Sequence, residues 1–407
     1  MTVTDSSAGR DTGLIRWLTC LMFFTFAMTT DAVGSVIPMI IKQFALSLTA
    51  ASAFQYATMA GIAGGALLLG FLADRAGRKA TILIGLGLYG ISCLMFAASH
   101  DFGAFVALLA AGGLGISVFK TGALALIGDI SVSTEAHTRL MNTVEGCFAV
   151  GAIVGPAIVA TLLAAGISWT WLYVVAAAIC AILIALSSRV RYPPVLQQAR
   201  RATLAEVLAV LQDPLALGIS LLVMLYVAVE VAIYVWMPTY LQAYRGNLAW
   251  LPGYALTIFF VLRALGRFLG AWLLGRVSWT LALVLTSLAI LLCFLGSLIW
   301  GVETGAWLLP LSGFFMSILY PTLNSKGISC FPKSQHGAAA GVILFFTAAA
   351  AALGPLAMAA VSDARGTPQA GFALATVFAL LLFTGLLANF VFNPTLARLR
   401  RSDVQGP

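Results

Sequence analysis

The sequence predicts an all-α, polytopic membrane protein in which twelve transmembrane helices form two pseudo-symmetric bundles of six. Three observations lead to this prediction. Of 407 residues, 61% are hydrophobic and 9% are charged, whereas an ordinary soluble domain has roughly 25% charged residues. Apolar runs recur along the whole chain, and many exceed the roughly 20 residues that a helix needs to cross a bilayer. One long polar connection, 189–212, divides these runs into two sets of six.

The apolar runs predict the spans and the domains. A soluble core can hide one such run but not a dozen, so we expect a multi-pass protein of an inner (plasma) membrane. Residues 1–188 form the predicted N-terminal bundle and residues 213–407 the C-terminal bundle. The connection 189–212 is predicted to be a cytoplasmic linker with an amphipathic helix from about residue 203. The predicted spans are 15–41, 50–72, 80–99, 103–128, 139–165, 168–188, 213–243, 250–275, 279–301, 306–329, 336–361 and 370–393.

The basic residues outside the spans or near their ends predict the orientation. With twelve spans, both tails and the even-to-odd connections share one side of the membrane. That side holds 16 Lys and Arg residues against 3 on the other, which places both termini in the cytoplasm. The formal charge of +8 therefore reflects topology and contact with the lipid bilayer, and we expect no nucleic-acid partner. The sixteen are Arg10, Arg16, Arg75, Arg78, Lys79, Arg139, Arg189, Arg191, Arg200, Arg201, Arg276, Lys326, Lys333, Arg398, Arg400 and Arg401, and the three are Lys42, Arg245 and Arg365.

The two halves of the chain resemble each other at an offset of about 200 residues. Weak internal repetition of this kind is typical of transporters built from two repeats, whose binding site lies at the repeat interface near the middle of the membrane. The matching positions are Pro38 and Pro238, Gly155-Pro156 and Gly354-Pro355, and Asp31 and Glu230.

The connection between spans 2 and 3 carries the most specific motif, GFLADRAGRK at 70–79. Its first glycine allows two helices to approach closely, its second permits a tight reversal, and its aspartate can sit at the positive end of a neighbouring helix. The motif resembles the signature loop of the major facilitator superfamily, which implies a twelve-helix fold and a loop that gates conformational change. The counterpart at 270–276 is degenerate, with Gly275 where the acid would be. The gating residues expected from this resemblance are Gly70, Asp74, Arg75, Gly77 and Arg78.

Six ionisable residues remain inside the predicted spans, away from the span ends. Each costs about 2.5–3.5 kcal/mol at the centre of a membrane helix, and such residues mark pathways for substrates, ions or protons. The alternative is that three acids and three bases pair and fix the helix packing, although desolvation can cancel the Coulomb gain of such pairs. The six are Asp31, Lys120, Glu145, Glu230, Arg263 and Arg267.

Two of the acids lie in the first half. Asp31 is about ten residues from the outer end of span 1, near the middle of the membrane, where a desolvated carboxyl can exchange a proton as its access alternates. Glu145 lies toward the cytoplasmic end of span 5, with Asn142 three residues earlier on the same face. We expect Glu145 and Asn142 to contact substrate; the structural alternative is a pair between Glu145 and Lys120 or Arg267.

The third acid, Glu230, shares a helix face with Tyr234 and precedes Trp236. A carboxylate beside aromatic rings suits a hydroxyl-rich ring. In span 10, Pro321 is predicted to break the helix, and Asn324 offers an amide to a sugar.

The three bases have less specific surroundings in the sequence. Lys120 and Arg263 fit a substrate-binding role and a structural role equally well. Arg267, four residues after Arg263 and nearer the cytoplasmic side, is expected to be structural.

Span 5 resembles a known family more narrowly. Asn142-Thr-Val-Glu145-Gly-Cys-Phe148 and the following GAIVGP at 151–156 resemble span 5 of the fucose–galactose–glucose proton symporters, and 230–241 and 266–270 resemble their spans 7 and 8. The resemblance implies that Glu145 takes the place of a sugar-binding glutamine and that Asp31 is the proton-linked acid. One departure is Lys120, because the fucose symporter carries an acid in span 4. Either Glu145 takes part in the proton relay, or the substrate is an anion that Lys120 binds.

We therefore predict a secondary active transporter, not an enzyme, that couples proton entry to uptake of a sugar or sugar-like solute by alternating access. The six cysteines lie singly, without CxxC or CxxH spacing, so we expect no cofactor and no metal. The expected partners are a small-molecule solute, a proton and the bilayer, and we expect a monomer. Proton coupling is assigned to Asp31, Glu145 and Glu230, and substrate binding to Asn142, Glu145, Lys120, Glu230, Tyr234, Trp236, Arg263 and Asn324.

Two other transport functions remain open. An organic-anion proton symporter, for a monocarboxylate or sugar acid, is supported by Lys120 and Arg263. A drug/proton antiporter is supported by GAIVGP at 151–156, which resembles the antiporter motif of span 5. The usual following glycine pair is replaced by 157–160, AIVA, and three intramembrane bases disfavour cationic drugs. A receptor or scaffold is disfavoured by buried charge in both halves.

Overall fold

The computed structural model describes residues 4–69, 72–131, 134–192, 209–331, 335–395 and 398–399. Within these residues the chain forms helices joined by connections, and no strand occurs. The chain divides into two compact units, one made of Met1–Phe44 and Ala53–Ala199 and the other of Ala45–Ser52 and Arg200–Pro407. Residues 193–208 of the predicted linker, including the start of its predicted amphipathic helix, lie outside the described residues.

The helices are numbered in chain order. Those of the first unit are α1 (Thr4–Thr30), α2 (Val33–Phe44), α4 (Ala53–Leu69), α5 (Leu72–Arg75), α6 (Arg78–Ala98), α7 (Phe102–Asp129), α8 (Thr134–Ala164) and α9 (Trp171–Arg189). Those of the second unit are α3 (Leu48–Ala51), α10 (Pro214–Val231), a π-helical segment (Ala232–Trp236), α11 (Met237–Tyr240), a 3₁₀ turn (Leu241–Ala243), α12 (Leu251–Leu274), α13 (Trp279–Met316), α14 (Leu319–Ser329), α15 (His336–Arg365) and α16 (Pro368–Phe392).

The first unit is built on closely packed helix pairs, among them α4 with α7 and α1 with α8. Glycine permits this closeness. A Cβ atom built at Gly61 on α4 would lie 2.0 Å from the carbonyl oxygen of Ala110 on α7, and one at Gly155 on α8 would lie 2.0 Å from that of Met28 on α1. Small residues let membrane helices gain van der Waals contact in this way, so any larger residue at these positions would push the helices apart.

The second unit packs α10 against α15 and α12 against α13. It also includes the short helix α3. The Asp363 carboxylate near the end of α15 accepts hydrogen bonds from the backbone N–H groups of Leu48 and Thr49, at 2.9 and 2.7 Å. Because the first N–H groups of a helix have no partner within the helix, these bonds fix α3 on α15.

The helices account for the predicted spans. Among the described residues, ten helical segments are long and apolar enough to cross a membrane. One of them, Trp279–Ser329, has 51 residues and covers two predicted spans; its helix α13 contains a non-helical residue, Gly301, at φ 81° and ψ −170°. The predicted span 50–72 corresponds to α4, which has 17 residues. Every predicted span thus has a helical counterpart, and the chain is an all-helical membrane protein.

Candidate functional site

Span 1 is interrupted at Asp31. Helix α1 ends at Thr30 and α2 begins at Val33. The hydroxyls of Thr29 and Thr30 both donate to the carbonyl of Phe26, at 3.1 and 3.0 Å, and such side-chain bonds to the preceding turn bend helices. The Thr30 hydroxyl also lies 3.3 Å from the Asp31 carboxylate and donates to it. The local sequence therefore places a partly buried carboxylate at a break in a membrane helix.

Lys120 on α7 lies among groups that stabilise its positive charge. Its ammonium is 5.2 Å from the ring centroid of Phe148 on α8 and 5.9 Å from that of Phe23 on α1, within the range of cation–π attraction. The charges of Glu145 and Asp31 both act on this ammonium. The structure therefore joins three of the six predicted ionisable residues in one electrostatic group, Asp31, Lys120 and Glu145, which we call the first cluster.

Glu145 and Asn142 lie on an exposed face of α8, whereas Val144 between them is buried. Residues three apart on a helix are neighbours, so the amide and the carboxylate can contact one ligand. The Glu145 charge reaches Lys120 at the same time. This arrangement offers hydrogen-bond donors and acceptors to a ligand at the surface of the first unit.

The second unit contains another group of predicted residues. Glu230 on α10 is 7% exposed, and its carboxylate forms an ion pair with Arg263 on α12. The Tyr226 hydroxyl donates to the carbonyl of Met316 at 3.1 Å. The charges of Glu230, Arg263 and the exposed Arg267 all act on Tyr226. We call Tyr226, Glu230, Arg263 and Arg267 the second cluster.

A π-helical segment, Ala232–Trp236, begins two residues after Glu230. Pro238 explains why this segment is a π-helix and not an α-helix. Its ring has no N–H to donate and would clash with the carbonyl of Tyr234 in a regular α-helix. The wider π turn removes this conflict, and π turns occur frequently at functional sites.

The two aromatic residues of this segment differ in what they can offer a ligand. Tyr234 is partly buried, and its ring stacks on Phe260 of α12 with centroids 6.4 Å apart. Trp236 is 4% exposed, and its indole N–H donates to the carbonyl of Pro355 at 3.0 Å. Because this N–H is the only polar group of the Trp236 side chain, its place in the structure suits packing against α15 better than binding of a solute hydroxyl.

Asn324 lies on α14 and is partly buried. The helix before it breaks at Ser317 and Ile318, and α14 begins at Leu319. Pro321 explains the break, because its ring would clash with the carbonyl of Ser317 in a continuous helix. The predicted proline break in span 10 is confirmed.

The signature loop leads into the start of α6. Gly77 adopts φ 84°, a conformation that glycine reaches at no steric cost. Arg78 is 5% exposed and its Nε donates to Asp129 Oδ2, at the end of α7, at 2.8 Å. The Lys79 ammonium donates to two backbone carbonyls at the end of α9, at 2.7 and 2.8 Å. The loop thus ties α6 to α7 and α9. Of the other predicted gating residues, Arg75 is exposed, whereas Gly70 and the side chain of Asp74 lie outside the described part of the structure.

Three aromatic residues in or next to the two clusters were not predicted. Phe148 follows Glu145 by three residues and Tyr226 precedes Glu230 by four, so helical spacing could have found both. Phe23 approaches Lys120 through the packing of separate helices, and no sequence signal indicates this contact. Within the residues that the structure describes, no group of three or more His, Cys, Asp and Glu side chains is placed to hold a metal ion.

Membrane-spanning helices with clusters of opposite charges among them, in each of two units, are the features of a secondary transporter. Comparison with known families gives the family. The model of the Major Facilitator Superfamily matches residues 19–355. The chain belongs to this superfamily and is a transporter of small-molecule solutes, not an enzyme.

Similar proteins include transporters of sugars and of nucleosides. The chain is 23% identical over 414 residues to the glucose/galactose transporter of Brucella abortus (strain 9-941), which covers 95% of this chain and 97% of that protein. The structure of the nucleoside transporter NupG matches with a TM-score of 0.74 at 17% identity, over 93% of this chain and 99% of that one. The structure of the E. coli fucose:proton symporter FucP matches with a TM-score of 0.63 at 20% identity, over 92% and 98%.

These matches confirm the predicted resemblance to the fucose–galactose–glucose family. The structural matches and the sequence match support different statements about this chain. The two structures establish the fold and belong to transporters with different solutes. The match to the glucose/galactose transporter extends over nearly the whole chain, and it is a distant one.

Proposed function

We propose that this chain couples the entry of protons to the uptake of a neutral sugar or sugar-like solute. The observation that carries the proposal is the first cluster, in which two carboxylates, Asp31 and Glu145, act on a single ammonium, Lys120. This cluster therefore holds two acids and one base within a membrane helix bundle. A proton is the smallest ion that can neutralise the charge of a carboxylate, and it can leave again when access alternates.

The roles proposed for the residues follow from their places in the fold. Asp31, at the helix break, carries the coupled proton. Glu145 and Asn142, on an exposed face, hydrogen-bond solute hydroxyls. Lys120 balances the acid that keeps its charge. Alternating access would then move one six-helix bundle against the other around the solute.

The balance of charges supports a neutral solute. Lys120 interacts with Glu145 and Asp31, and Arg263 pairs with Glu230, so these two candidate anion-binding bases each already face a carboxylate. The distant relative named as a glucose/galactose transporter and the structural neighbour named as a fucose:proton symporter support the same class of solute.

An organic anion is the second candidate. The second cluster holds two bases, Arg263 and Arg267, and one acid, Glu230. Because Arg267 is exposed, its guanidinium can reach a ligand, and a carboxylate would match its fork of N–H donors. This observation favours a monocarboxylate or a sugar acid.

The proposed setting is an inner (plasma) membrane, with the chain as a monomer and both termini in the cytoplasm. The support is the distribution of basic residues, 16 on one side of the predicted topology and 3 on the other. Proteolysis of the tails in sealed, right-side-out vesicles tests the orientation, because cytoplasmic tails stay protected until the vesicles are opened.

Uptake into proteoliposomes that are reconstituted with the purified protein tests the proposed function. Under an imposed inward proton gradient, labelled glucose or fucose should accumulate, whereas lactate and a lipophilic cation should not. Asp31→Asn should abolish gradient-driven accumulation yet keep counterflow exchange, because a neutral amide mimics the protonated acid. If Asp31→Asn still concentrates the sugar under a pH gradient, Asp31 does not carry the coupling; accumulation of lactate alone would favour the organic-anion symporter.

A further inference from the structure

The second unit carries a large groove at one end of its helices. The groove lies between the first turns of α10 and the last turns of α16 and has a volume of about 580 Å³, within the roughly 300–1,000 Å³ of pockets that bind small molecules. Its walls include Gly218 and Leu222 of α10 and Gly385 and Ala388 of α16. These residues make the interior of the groove apolar.

Two glycines give the groove its shape. A Cβ atom built at Gly385 would lie 2.6 Å from Cδ2 of Leu222, so this glycine lets the two helices meet. A Cβ atom built at Gly218, one helical turn nearer the start of α10, would have nothing within 4 Å. The helices therefore touch at Leu222 and leave open space at Gly218.

Charged residues line the rim of the groove. Arg398 and Asp213 form an ion pair with Nη2 and Oδ2 2.5 Å apart, and their side chains are 39% and 19% exposed. Burial raises the pKa of Asp213, but hydrogen bonds from Arg398 and from the backbone N–H groups of Leu215 and Ala216 outweigh it and hold the pKa below its usual value. Asp213 is thus a stable anchor for Arg398.

The basic group of this rim is the guanidinium of Arg398, which stays partly exposed although it is paired with Asp213. Phe392, which also lines the groove, is 81% exposed, so the groove has an apolar side chain at its open edge. The groove is therefore apolar along the helices and carries a partly exposed arginine–aspartate pair at their ends.

We propose that this groove binds an anionic phospholipid, with an acyl chain along Gly218 and the phosphate at Arg398. The arrangement complements an amphipathic anion, and basic pockets between membrane helices are known to receive anionic headgroups. Arg398 has five N–H donors, of which the bond to Asp213 uses one, so its guanidinium can also hold a phosphate oxygen. This inference goes beyond the proposed function and does not depend on it.

Native mass spectrometry of the purified full-length protein tests the proposal, with phosphatidylglycerol and phosphatidylcholine as the two probes. The wild type should retain phosphatidylglycerol more tightly. Arg398→Gln should weaken the binding of phosphatidylglycerol about fivefold and leave the binding of phosphatidylcholine unchanged, because one base near the membrane surface contributes about 1 kcal/mol. Gly218→Phe should weaken the binding of both lipids, because the added ring fills the groove. Gly87→Phe is the matched control, because Gly87 is also a helical glycine with no atom within 4 Å of a built Cβ.

Asp213→Asn separates a lipid-binding arginine from a purely structural one. If Arg398 binds phosphate, removing the carboxylate that competes with the lipid should tighten the binding of phosphatidylglycerol and leave the binding of phosphatidylcholine unchanged. Equal retention of the two lipids by the wild type, or retention that neither Arg398→Gln nor Gly218→Phe lowers, would overturn the proposal.

Discussion

Replacing Lys120 by methionine separates a neutral solute from an anionic one. Methionine keeps a long, unbranched side chain that can still pack between Phe23 and Phe148, so the change mainly removes the positive charge. Two carboxylates, Asp31 and Glu145, act on this one ammonium, so its removal should change how transport depends on pH.

The sign of the shift follows from the charge. A positive charge beside a carboxyl disfavours its protonated form, so the pH optimum of transport should move upward when Lys120 is removed. The affinity for a neutral sugar should change little. If the solute is an anion that Lys120 binds, the same change should instead cost about 2–5 kcal/mol of affinity, which is about 30-fold or more.

Titration calorimetry of the solute across pH, together with the pH profile of uptake into proteoliposomes, measures both quantities. Lys120→Arg is the matched control, because it keeps the charge and the contact with the rings and should leave the pH profile near that of the wild type. A large loss of affinity with an unmoved pH profile would refute the neutral-solute interpretation and favour an organic-anion symporter.

Three further predictions follow from named contacts. Glu145→Gln should keep binding of a neutral sugar while flattening its pH dependence, and Glu145→Ala should lose binding; near-native affinity in both variants would leave Glu145 a structural partner only. Gly155→Leu should lower the stability measured by thermal unfolding in detergent by about 1–3 kcal/mol, because its Cβ would lie 2.0 Å from the Met28 carbonyl, whereas Gly87→Leu should not. Since the folded-state pKa of Asp213 is lowered, its stabilising contribution should be complete above about pH 3.9 and lost as the pH falls through the folded value; an equal acid loss of stability in Asp213→Asn would contradict this.

The spans could be predicted from the sequence because a membrane helix must satisfy its own backbone and cover about 30 Å with apolar side chains. Both requirements determine the composition and length of the segment, so the run at 213–243 can be recognised without knowing any contact between helices. Proline is a second local signal. Pro321 removes one N–H and excludes the carbonyl of Ser317, which predicts a disturbance there. However, Pro156 and Pro355 lie inside continuous helices, so packing decides whether the helix breaks.

The contacts between helices could not be predicted in the same way. Whether Lys120 meets Phe23 depends on the rotation and depth of two helices, α1 and α7, which the sequence does not state. The π turn after Glu230 is a further example. Pro238 predicts a disturbance there, but whether the chain kinks or widens into a π turn depends on packing, including the bond from Trp236 to Pro355.

Irregular backbone lies beside candidate residues in both units, and this bears on the choice between function and packing. The helix is broken at Asp31, widened just after Glu230 and broken again shortly before Asn324. In a bilayer, carbonyls released by such irregularities are tolerated only where protein or water satisfies them, so lipid-facing positions cannot hold them. Ion pairs that served only to fix helix packing would be equally effective between regular helices and would not need these breaks. Discontinuous helices beside ionisable side chains are instead the usual construction of solute and ion sites in transporters, which favours Asp31 and Glu230 as parts of the transport machinery.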